Sequence, residues 1–180
     1  ALALDMYGDG KQAQHPDDAQ KFMAEATKDV AVVVARFHAA RAALVADSHV
    51  DPEKIAAIGY CFGGGVVLNM ARAGEDLDAV VTFHGALDVF VPAKPGGIKP
   101  EILVMTGVDD PMVTVDVVEK FRAEMTAAKA NFRIITYPGA KHSFTNPDAD
   151  SHQMPALAYN AEADKKSWDE LLTLFRKVFG

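Results

Sequence analysis

Short apolar runs alternate with longer amphipathic stretches along the whole chain. The short runs, which predict β-strands, cover residues 2–4, 55–59, 79–83, 102–106 and 132–137. The longer stretches predict helices at residues 17–46 (expected to form two helices), 62–73, 114–129 and 161–179. Strands of about five residues separated by helices of roughly ten or more are typical of βαβ units. The pattern therefore predicts an α/β fold with a mostly parallel, doubly wound sheet and helices on both of its faces.

The size of the chain sets the expected domain organisation. Its 180 residues, of which 49% are hydrophobic, are enough for one domain with a sizeable core. We therefore expect residues 1–180 to form a single domain. The apolar run at residues 2–4 reads as a core strand, and position 1 is not Met. Since a core strand is unusual at an extreme terminus, we expect N-terminal strands of the fold to be missing from this chain.

Charge and cysteine content restrict the classes of partner. The formal net charge is −7, which argues against a nucleic-acid partner because the phosphate backbone is itself negative. No apolar stretch approaches the roughly 20 residues that span a bilayer, so we expect no membrane association. A single cysteine, Cys61, excludes an intrachain disulfide and fits a reducing compartment. We therefore expect a cytoplasmic protein.

The most informative segment runs from an apolar strand directly into a helix through Gly59, Cys61 and Gly63. This is the strand–nucleophile–helix turn of G-x-S-x-G enzymes, with Cys in the place of Ser. The nucleophile sits in a strained turn, so we expect both positions two residues away to require glycine. The turn would place the sulfur at a helix N-terminus, where the dipole favours a thiolate. The N–H of Phe62 is then a candidate oxyanion-hole donor.

Two other interpretations of this glycine-rich segment are possible. Cys61 could be a buried structural cysteine at the start of a helix, because free cysteine behaves as a small hydrophobe. The glycines could instead form a phosphate-binding loop. However, G-x-x-x-x-G-K-[ST] is absent, and the spacing does not fit G-x-G-x-x-G. The nucleophile interpretation is therefore favoured.

An acid and a histidine follow later strands of the predicted sheet. Asp109 and Asp110 come directly after the run at 102–106, and either could orient a histidine, although Asp is also common in turns and helix caps. His142 lies in a turn-rich loop after the run at 132–137 and is the candidate general base. Another histidine, His84, follows the run at 79–83 and could line the pocket. The order nucleophile, acid, histidine is that of α/β-hydrolases.

With these motifs in view, the chain resembles the dienelactone hydrolase family of the α/β-hydrolases over almost its whole length. The similar segments are Leu4-Asp5-Met6-Tyr7-Gly8, the turn Gly59-Tyr60-Cys61-Phe62-Gly63-Gly64, the acid loop from Gly107 through Asp110 to Val113, and Gly139-Ala140-Lys141-His142-Ser143-Phe144. The resemblance selects Asp110 over Asp109. It implies that the chain corresponds to the C-terminal two-thirds of an α/β-hydrolase domain.

The resemblance also implies a reaction. A small ester or lactone would be cleaved through a transient thioester on Cys61, with His142 and Asp110 completing the triad and with no metal or cofactor. We expect Tyr60, His84 and Phe144 to line the substrate pocket. Family members hold a substrate carboxylate with an arginine four residues after the histidine, whereas this chain has Asn146 there. An anionic dienelactone is therefore not implied as the substrate.

The alternatives to an ester or lactone hydrolase come from different classes of protein. Glutamine-amidotransferase-like enzymes also carry a cysteine in such a turn, but they place His directly after it, where this chain has Phe62. A truncated hydrolase fold could instead serve as a non-catalytic binding or structural module. An uncovered sheet edge would also favour pairing between copies, so a homo-oligomer is possible.

Overall fold

The predicted alternation of strands and helices is present in the computed structural model, which describes residues 1–13 and 15–180. The strands are β1 (Ala56–Tyr60), β2 (Ala79–Phe83), β3 (Glu101–Gly107) and β4 (Phe132–Tyr137). The helices are α1 (Pro16–Thr27), α2 (Val30–Val45), α3 (Phe62–Ala73), α4 (Val115–Ala127) and α5 (Ala161–Phe179), with a short 3-10 helix at Ala149–His152. All strand pairs are parallel, in the order β1-β2-β3-β4. The α/β prediction is confirmed.

The chain divides into two compact units, Ala1–Lys54 and Ile55–Gly180. The first unit contains α1 and α2, which the sequence predicted as one stretch of two helices. The second contains the whole described sheet together with α3, α4 and α5. Within the described part of the chain, no helix is long and apolar enough to cross a membrane. The expectation of a single domain stays a prediction.

Residues 2–4 form no strand, so the prediction made from their apolar character is wrong. A strand needs a neighbour that takes up its backbone hydrogen bonds, and none of the four described strands pairs with this run. Leu2 is 45% exposed. The chain instead turns at Asp5, whose carboxylate accepts hydrogen bonds from the N–H groups of Gly8 at 2.8 Å and Gly10 at 2.9 Å.

Alternate residues of β2 point to opposite faces of the sheet, and each face carries helices. Val81 and Phe83 belong to the core that includes Leu171 of α5. On the other face, Thr82 lies against Gly64 of α3. Because successive side chains of a strand point to opposite faces, α3 and α5 cover opposite sides. The prediction of a doubly wound sheet with helices on both faces is therefore confirmed.

A buried arginine, Arg72, joins α3 to α4 and to the segment that follows β2. The side chain of Arg72 is fully buried, and its Nε and Nη2 each lie 2.8 Å from the carboxylate of Glu124 in α4. Nη2 also donates to the carbonyl of Leu87, which follows β2. A buried charge must be paired and hydrogen-bonded, and here both conditions are met. The helix that follows Cys61 is thereby anchored near its C-terminal end.

Packing of α3 on β2 requires glycine at position 64. A Cβ there would lie 2.2 Å from Oγ1 of Thr82 and 2.8 Å from the backbone Cα of Gly85. We expect Gly64→Ala to lower the free energy of unfolding by about 1–3 kcal/mol, the usual cost of overpacking. The measurement is urea denaturation followed by circular dichroism.

The neighbouring glycine is the matched control. A Cβ at Gly63 would meet no atom within 4 Å. Alanine loses less conformational entropy than glycine in a helix, so Gly63→Ala should be neutral or stabilise by up to about 1 kcal/mol. Equal losses in both variants would contradict the packing argument.

Candidate active site

Cys61 occupies a strained turn between β1 and α3. Its backbone has φ 49° and ψ −119°, a region that non-glycine residues rarely adopt. The turn is held from both sides. The N–H of Cys61 donates to the carbonyl of Phe83 at 3.2 Å, and its own carbonyl accepts from the N–H groups of Gly64 and Ala86, each at 3.1 Å. The strain is therefore compensated by hydrogen bonds to the next strand end and to the helix.

One of the two glycines around Cys61 is required by close packing. A Cβ at Gly59 would lie 2.2 Å from the carbonyl oxygen of Gly63, so no side chain fits. The expectation that Gly63 must also lack a side chain is wrong, because a Cβ there meets no atom within 4 Å. The asymmetry arises because the backbone of Gly63 in α3 lies against Gly59 in β1, whereas the space that a Cβ of Gly63 would occupy is open.

The acid loop presents Asp110 rather than Asp109 to the site. Asp110 is 3% exposed, whereas Asp109 is exposed to solvent. The Oδ1 atom of Asp110 accepts hydrogen bonds from the N–H groups of Met112 at 2.8 Å and Val113 at 3.2 Å. Its Oδ2 atom lies 2.9 Å from Nδ1 of His142. The carboxylate is thus buried, satisfied and oriented.

The acid loop and the histidine loop are joined through their backbones. The N–H of Val108 donates to the carbonyl of Tyr137 at 2.9 Å, and that of Asp109 donates to Ala140 at 3.0 Å. A Cβ at Gly107 would lie 2.1 Å from the carbonyl oxygen of Ala140, so glycine permits this approach. The two loops therefore cannot move independently, which fixes the separation of the acid and the imidazole.

His142 bridges Asp110 and Cys61. Its Nε2 lies 3.1 Å from Sγ of Cys61, while Nδ1 faces Asp110. The backbone of His142 is held by the segment that precedes α5, since its N–H donates to the carbonyl of Ala156 and its carbonyl accepts from Ala158, each at 3.2 Å. His142 is 4% exposed. The three predicted triad residues therefore form one continuous hydrogen-bonded chain.

The electrostatics of the hydrogen-bonded residues Asp110, His142 and Cys61 favour a thiolate beside an imidazolium. Burial alone raises the pKa of the Cys61 thiol, but the hydrogen bond and charge of His142 and the N–H of Phe62 outweigh it, so the pKa falls below its ordinary value. Burial lowers the pKa of His142, but hydrogen bonds to Asp110 and Cys61 prevail and raise it to about 9. Phe62, the predicted oxyanion donor, has its N–H at the sulfur.

His84 lies beside His142 but differs from it in pKa. The centroids of the His84 and His142 rings are 5.1 Å apart. Burial, followed by the positive charge of His142, lowers the pKa of His84 to about 3, so its imidazole is neutral at pH 7. Its Nε2 lies 2.8 Å from Oγ1 of Thr145, and its Nδ1 has no hydrogen-bond partner in the described part of the chain.

A cleft of about 790 Å³ opens beside Cys61. Tyr60 and His84, two of the three residues predicted to line a pocket, lie in its wall. The prediction for Phe144 is corrected, because its side chain has no exposed surface and does not line the cleft. Phe144 packs against the rings of His84 and Tyr137 with centroids 5.2 and 5.5 Å away. It therefore supports the wall from behind.

Helix α5 contributes a side of the cleft that the sequence reasoning missed. Ala161, Asp164, Lys165 and Trp168 line it, together with Tyr159 just before the helix. These four helical positions follow the spacing i, i+3, i+4, i+7 and so share one face. The sequence feature that could have indicated this side of the cleft was Trp168, a large aromatic residue on the predicted helix. In the structure its side chain is half-exposed on that face. Among the described residues, no cluster of three or more His, Cys, Asp or Glu side chains could hold a metal ion.

Relatives of known structure share this arrangement of strands and helices. A crystal structure of a dienelactone hydrolase-like promiscuous phosphotriesterase from metagenomic libraries has a TM-score of 0.89 and 39% identity, covering 100% of this chain and 75% of its own. A dienelactone hydrolase from Anabaena variabilis, at 22% identity and a TM-score of 0.55, covers 83% of this chain and 65% of its own and supports the fold alone.

Relatives by sequence extend the comparison to other organisms. A Caenorhabditis elegans protein of uncharacterised function is 35% identical over 151 residues, which cover 80% of this chain and 92% of that protein. A Yersinia pestis protein provisionally named carboxymethylenebutenolidase is 27% identical over 97% of this chain, which spans only 66% of its length.

The fold and the comparisons together define the class of protein. A parallel sheet flanked by helices, with Cys61 in a strained turn between its first described strand and a helix, matches the α/β-hydrolase fold. The model of the dienelactone hydrolase family matches residues 1–179, so the chain belongs to the dienelactone hydrolase family. The resemblance seen in the sequence is thereby confirmed, and membership of the family supports a hydrolase.

The thiol of Cys61 provides a direct test of the electrostatics, because the chain has no other cysteine. We expect the rate of alkylation by iodoacetamide to rise with pH at a midpoint below that of an ordinary thiol, about 8.5. In His142→Ala the midpoint should move to higher pH. The hydrogen bond and charge of His142, which lower the pKa of Cys61, are then absent, while burial still raises it. Mass spectrometry of the single adduct across a pH series measures the rate. A midpoint that is unchanged in the variant would contradict the ion pair.

Proposed function

We propose that this chain hydrolyses a small carboxylic ester or lactone with Cys61 as nucleophile, His142 as acid–base catalyst and Asp110 as its orienting acid. The observation that carries the proposal is the continuous chain from Asp110 through His142 to the sulfur, at 2.9 and 3.1 Å. Such a chain at the mouth of a cleft is the usual arrangement for acyl transfer. Membership of the dienelactone hydrolase family supports the same reaction class.

In the first half of the reaction, the thiolate of Cys61 attacks the carbonyl carbon and a C–S bond forms. The carbonyl π electrons move to oxygen and give a tetrahedral oxyanion. The C–O bond to the alcohol then breaks, and the Nε2–H of His142, on the atom that lies 3.1 Å from the sulfur, protonates the leaving oxygen. A thioester on Cys61 and a neutral imidazole remain.

In the second half, water hydrolyses the thioester. The neutral Nε2 of His142 removes a proton from water as its oxygen attacks the acyl carbon. Collapse of the second tetrahedral intermediate breaks the C–S bond, releases the carboxylic acid and regenerates the thiolate beside the imidazolium. Asp110 holds Nδ1 throughout and stabilises the positive charge on the ring.

The backbone N–H of Phe62 is the proposed oxyanion-hole donor. It follows the nucleophile directly and is the first residue of α3, so it donates from a helix N-terminus. In the resting site this N–H stabilises the thiolate and lowers its pKa. As negative charge moves from sulfur to oxygen during attack, the same donor can follow it. One such donor contributes about 3 kcal/mol of transition-state stabilisation.

Turnover of p-nitrophenyl acetate and of a simple lactone tests the proposal. We expect Cys61→Ala to lower kcat/KM by roughly 10³-fold or more, because the covalent route is lost. Release of p-nitrophenol and pH-stat titration are the two readouts, with circular dichroism to establish that the variant folds. Equal rates in both proteins would remove Cys61 as nucleophile.

A non-catalytic binding module remains the alternative from another class, and the same pair of proteins separates it. A module would bind esters without turnover and without a covalent intermediate. We expect instead that intact mass spectrometry of the parent, quenched during turnover of a slow ester, shows an acyl adduct that Cys61→Ala lacks. The absence of both turnover and adduct in the parent would favour the binding module.

The shifted pKa values predict a bell-shaped dependence of kcat/KM on pH. Attack needs the thiolate, so activity is lost as the pH falls through the lowered pKa of Cys61. Protonation of the leaving group needs the imidazolium, so activity falls as the pH rises through about 9, the raised pKa of His142. In Asp110→Asn the alkaline limb should move to lower pH, because the carboxylate that raises this pKa is gone. Alkaline limbs that coincide in the two proteins would contradict the assignment.

A further inference from the structure

The cleft beside Cys61 has an aromatic side. The ring of Tyr60 stacks on Phe83 with centroids 4.7 Å apart and planes 12° from parallel, and Phe83 continues to Trp168 at 6.4 Å and 29°. Phe83 is buried, but Tyr60 is 41% and Trp168 is 46% exposed, and both line the cleft. Half-exposed rings supported from behind offer rigid apolar faces to a ligand, and aromatic groups pair with such faces in offset or edge geometries.

A carboxylate lies on the same side. Asp164 lines the cleft and accepts a hydrogen bond from the hydroxyl of Tyr159 at 3.1 Å. Its negative charge reaches the aromatic wall, because burial and then Asp164 raise the pKa of Tyr60. A second carboxylate brought into this cleft from a substrate would therefore meet a like charge.

The cation among the lysines and arginines of the described lining pairs with a carboxylate outside the cleft. This cation is Lys165, and its Nζ lies 2.7 Å from Oδ2 of Asp169, which does not line the cleft. His84 is neutral at pH 7, because its pKa is lowered to about 3, and the imidazole of His142 is engaged by Asp110 and Cys61. The cleft therefore combines aromatic faces with the carboxylate of Asp164, which makes no ion pair with Lys165.

We propose that the site takes an uncharged ester that carries an aromatic ring, seated against Tyr60 and Trp168, and that Asp164 excludes substrates bearing a carboxylate beside that ring. This inference rests on the proposed ester hydrolysis and names its substrate class. The exclusion is a device of specificity, because a like charge in a cleft weakens the wrong substrate without improving the right one.

Binding can be measured without catalysis, since Trp168 is the chain's one tryptophan. In Cys61→Ala, the fluorescence of Trp168 should respond directly to ligand. We would titrate benzyl acetate, 4-(acetoxymethyl)benzoate and cyclohexylmethyl acetate. Benzyl acetate should bind about tenfold more tightly than the benzoate. The reason is that the benzoate carboxylate would be repelled by Asp164, and one partly screened contact between like charges costs about that much. It should bind about threefold more tightly than the cyclohexyl ester, because stacking adds to burial.

Substitution of Asp164 isolates the charge. In Cys61→Ala/Asp164→Asn, which keeps an acceptor for Tyr159, the tenfold preference against the benzoate should shrink to about threefold or less. Glu162→Gln is the matched control, because Glu162 lies on the same helix and pairs with Lys166 but does not line the cleft. This control should leave the preference unchanged. Equal effects of the two substitutions would overturn the role of Asp164.

Substitution of Tyr60 isolates the ring. Tyr60→Phe keeps the stack on Phe83, so we expect the affinity for benzyl acetate to be retained, whereas Tyr60→Leu should weaken it by about threefold. Equal binding of all three esters, or no fluorescence response, would overturn the proposed substrate class. Turnover of p-nitrophenyl acetate by the parent would still support ester hydrolysis in that case. If Cys61→Ala binds the three esters with the expected preference but the parent turns over no ester, the binding preference would be supported and the proposed hydrolysis would be contradicted.

Discussion

The site depends on one backbone contact, the approach of Gly107 to Ala140. The acid loop and the histidine loop follow β3 and β4, which are neighbours in the sheet, and a Cβ at position 107 would lie 2.1 Å from the carbonyl oxygen of Ala140. With glycine there, two backbone hydrogen bonds join the loops. The separation of Asp110 and His142 is thus set by the sheet itself rather than by flexible side chains. A site whose geometry is held by rigid elements is preorganised, so little entropy is lost when it acts.

Charge in the buried site is arranged so that each ion has a partner. Asp110 accepts hydrogen bonds from two backbone N–H groups besides its contact with His142, and His142 in turn faces Sγ of Cys61. An isolated buried charge would be costly, but a paired and hydrogen-bonded one is tolerated. His84, only 5.1 Å from His142 between ring centroids, stays neutral and so adds no positive charge. The result is a thiol at Cys61 whose pKa lies below its ordinary value.

Helix α5 serves the core and the cleft with different faces. Ala163, Ser167, Leu171 and Leu174 are its buried residues. Asp164 and Trp168, one position further along from two of these, line the cleft instead. Because the same helix carries both faces, the core contacts fix where the cleft residues stand. Substitutions on the cleft face can then change the lining of the cleft while the buried face keeps the helix in place.

Much of the fold and the triad was determined by the sequence itself. Apolar runs of strand length between amphipathic stretches predicted all four described strands and the five helices, because periodicity reports which face of an element is buried. The positions of Cys61, Asp110 and His142 after β1, β3 and β4 predicted where they meet, since the carboxyl ends of parallel strands share one edge.

Only the tertiary structure decided features that depend on neighbours distant in sequence. Residues 2–4 have a strand's composition, but without a pairing partner they form none. Phe144 and Trp168 are both large aromatic residues, yet the first is fully buried and the second lines the cleft. Asp110 was separated from Asp109 by resemblance, and its burial beside His142 supplies the physical reason. In each case a local pattern gives the character of a side chain, whereas its surroundings are set by chain segments that pack against it only after folding.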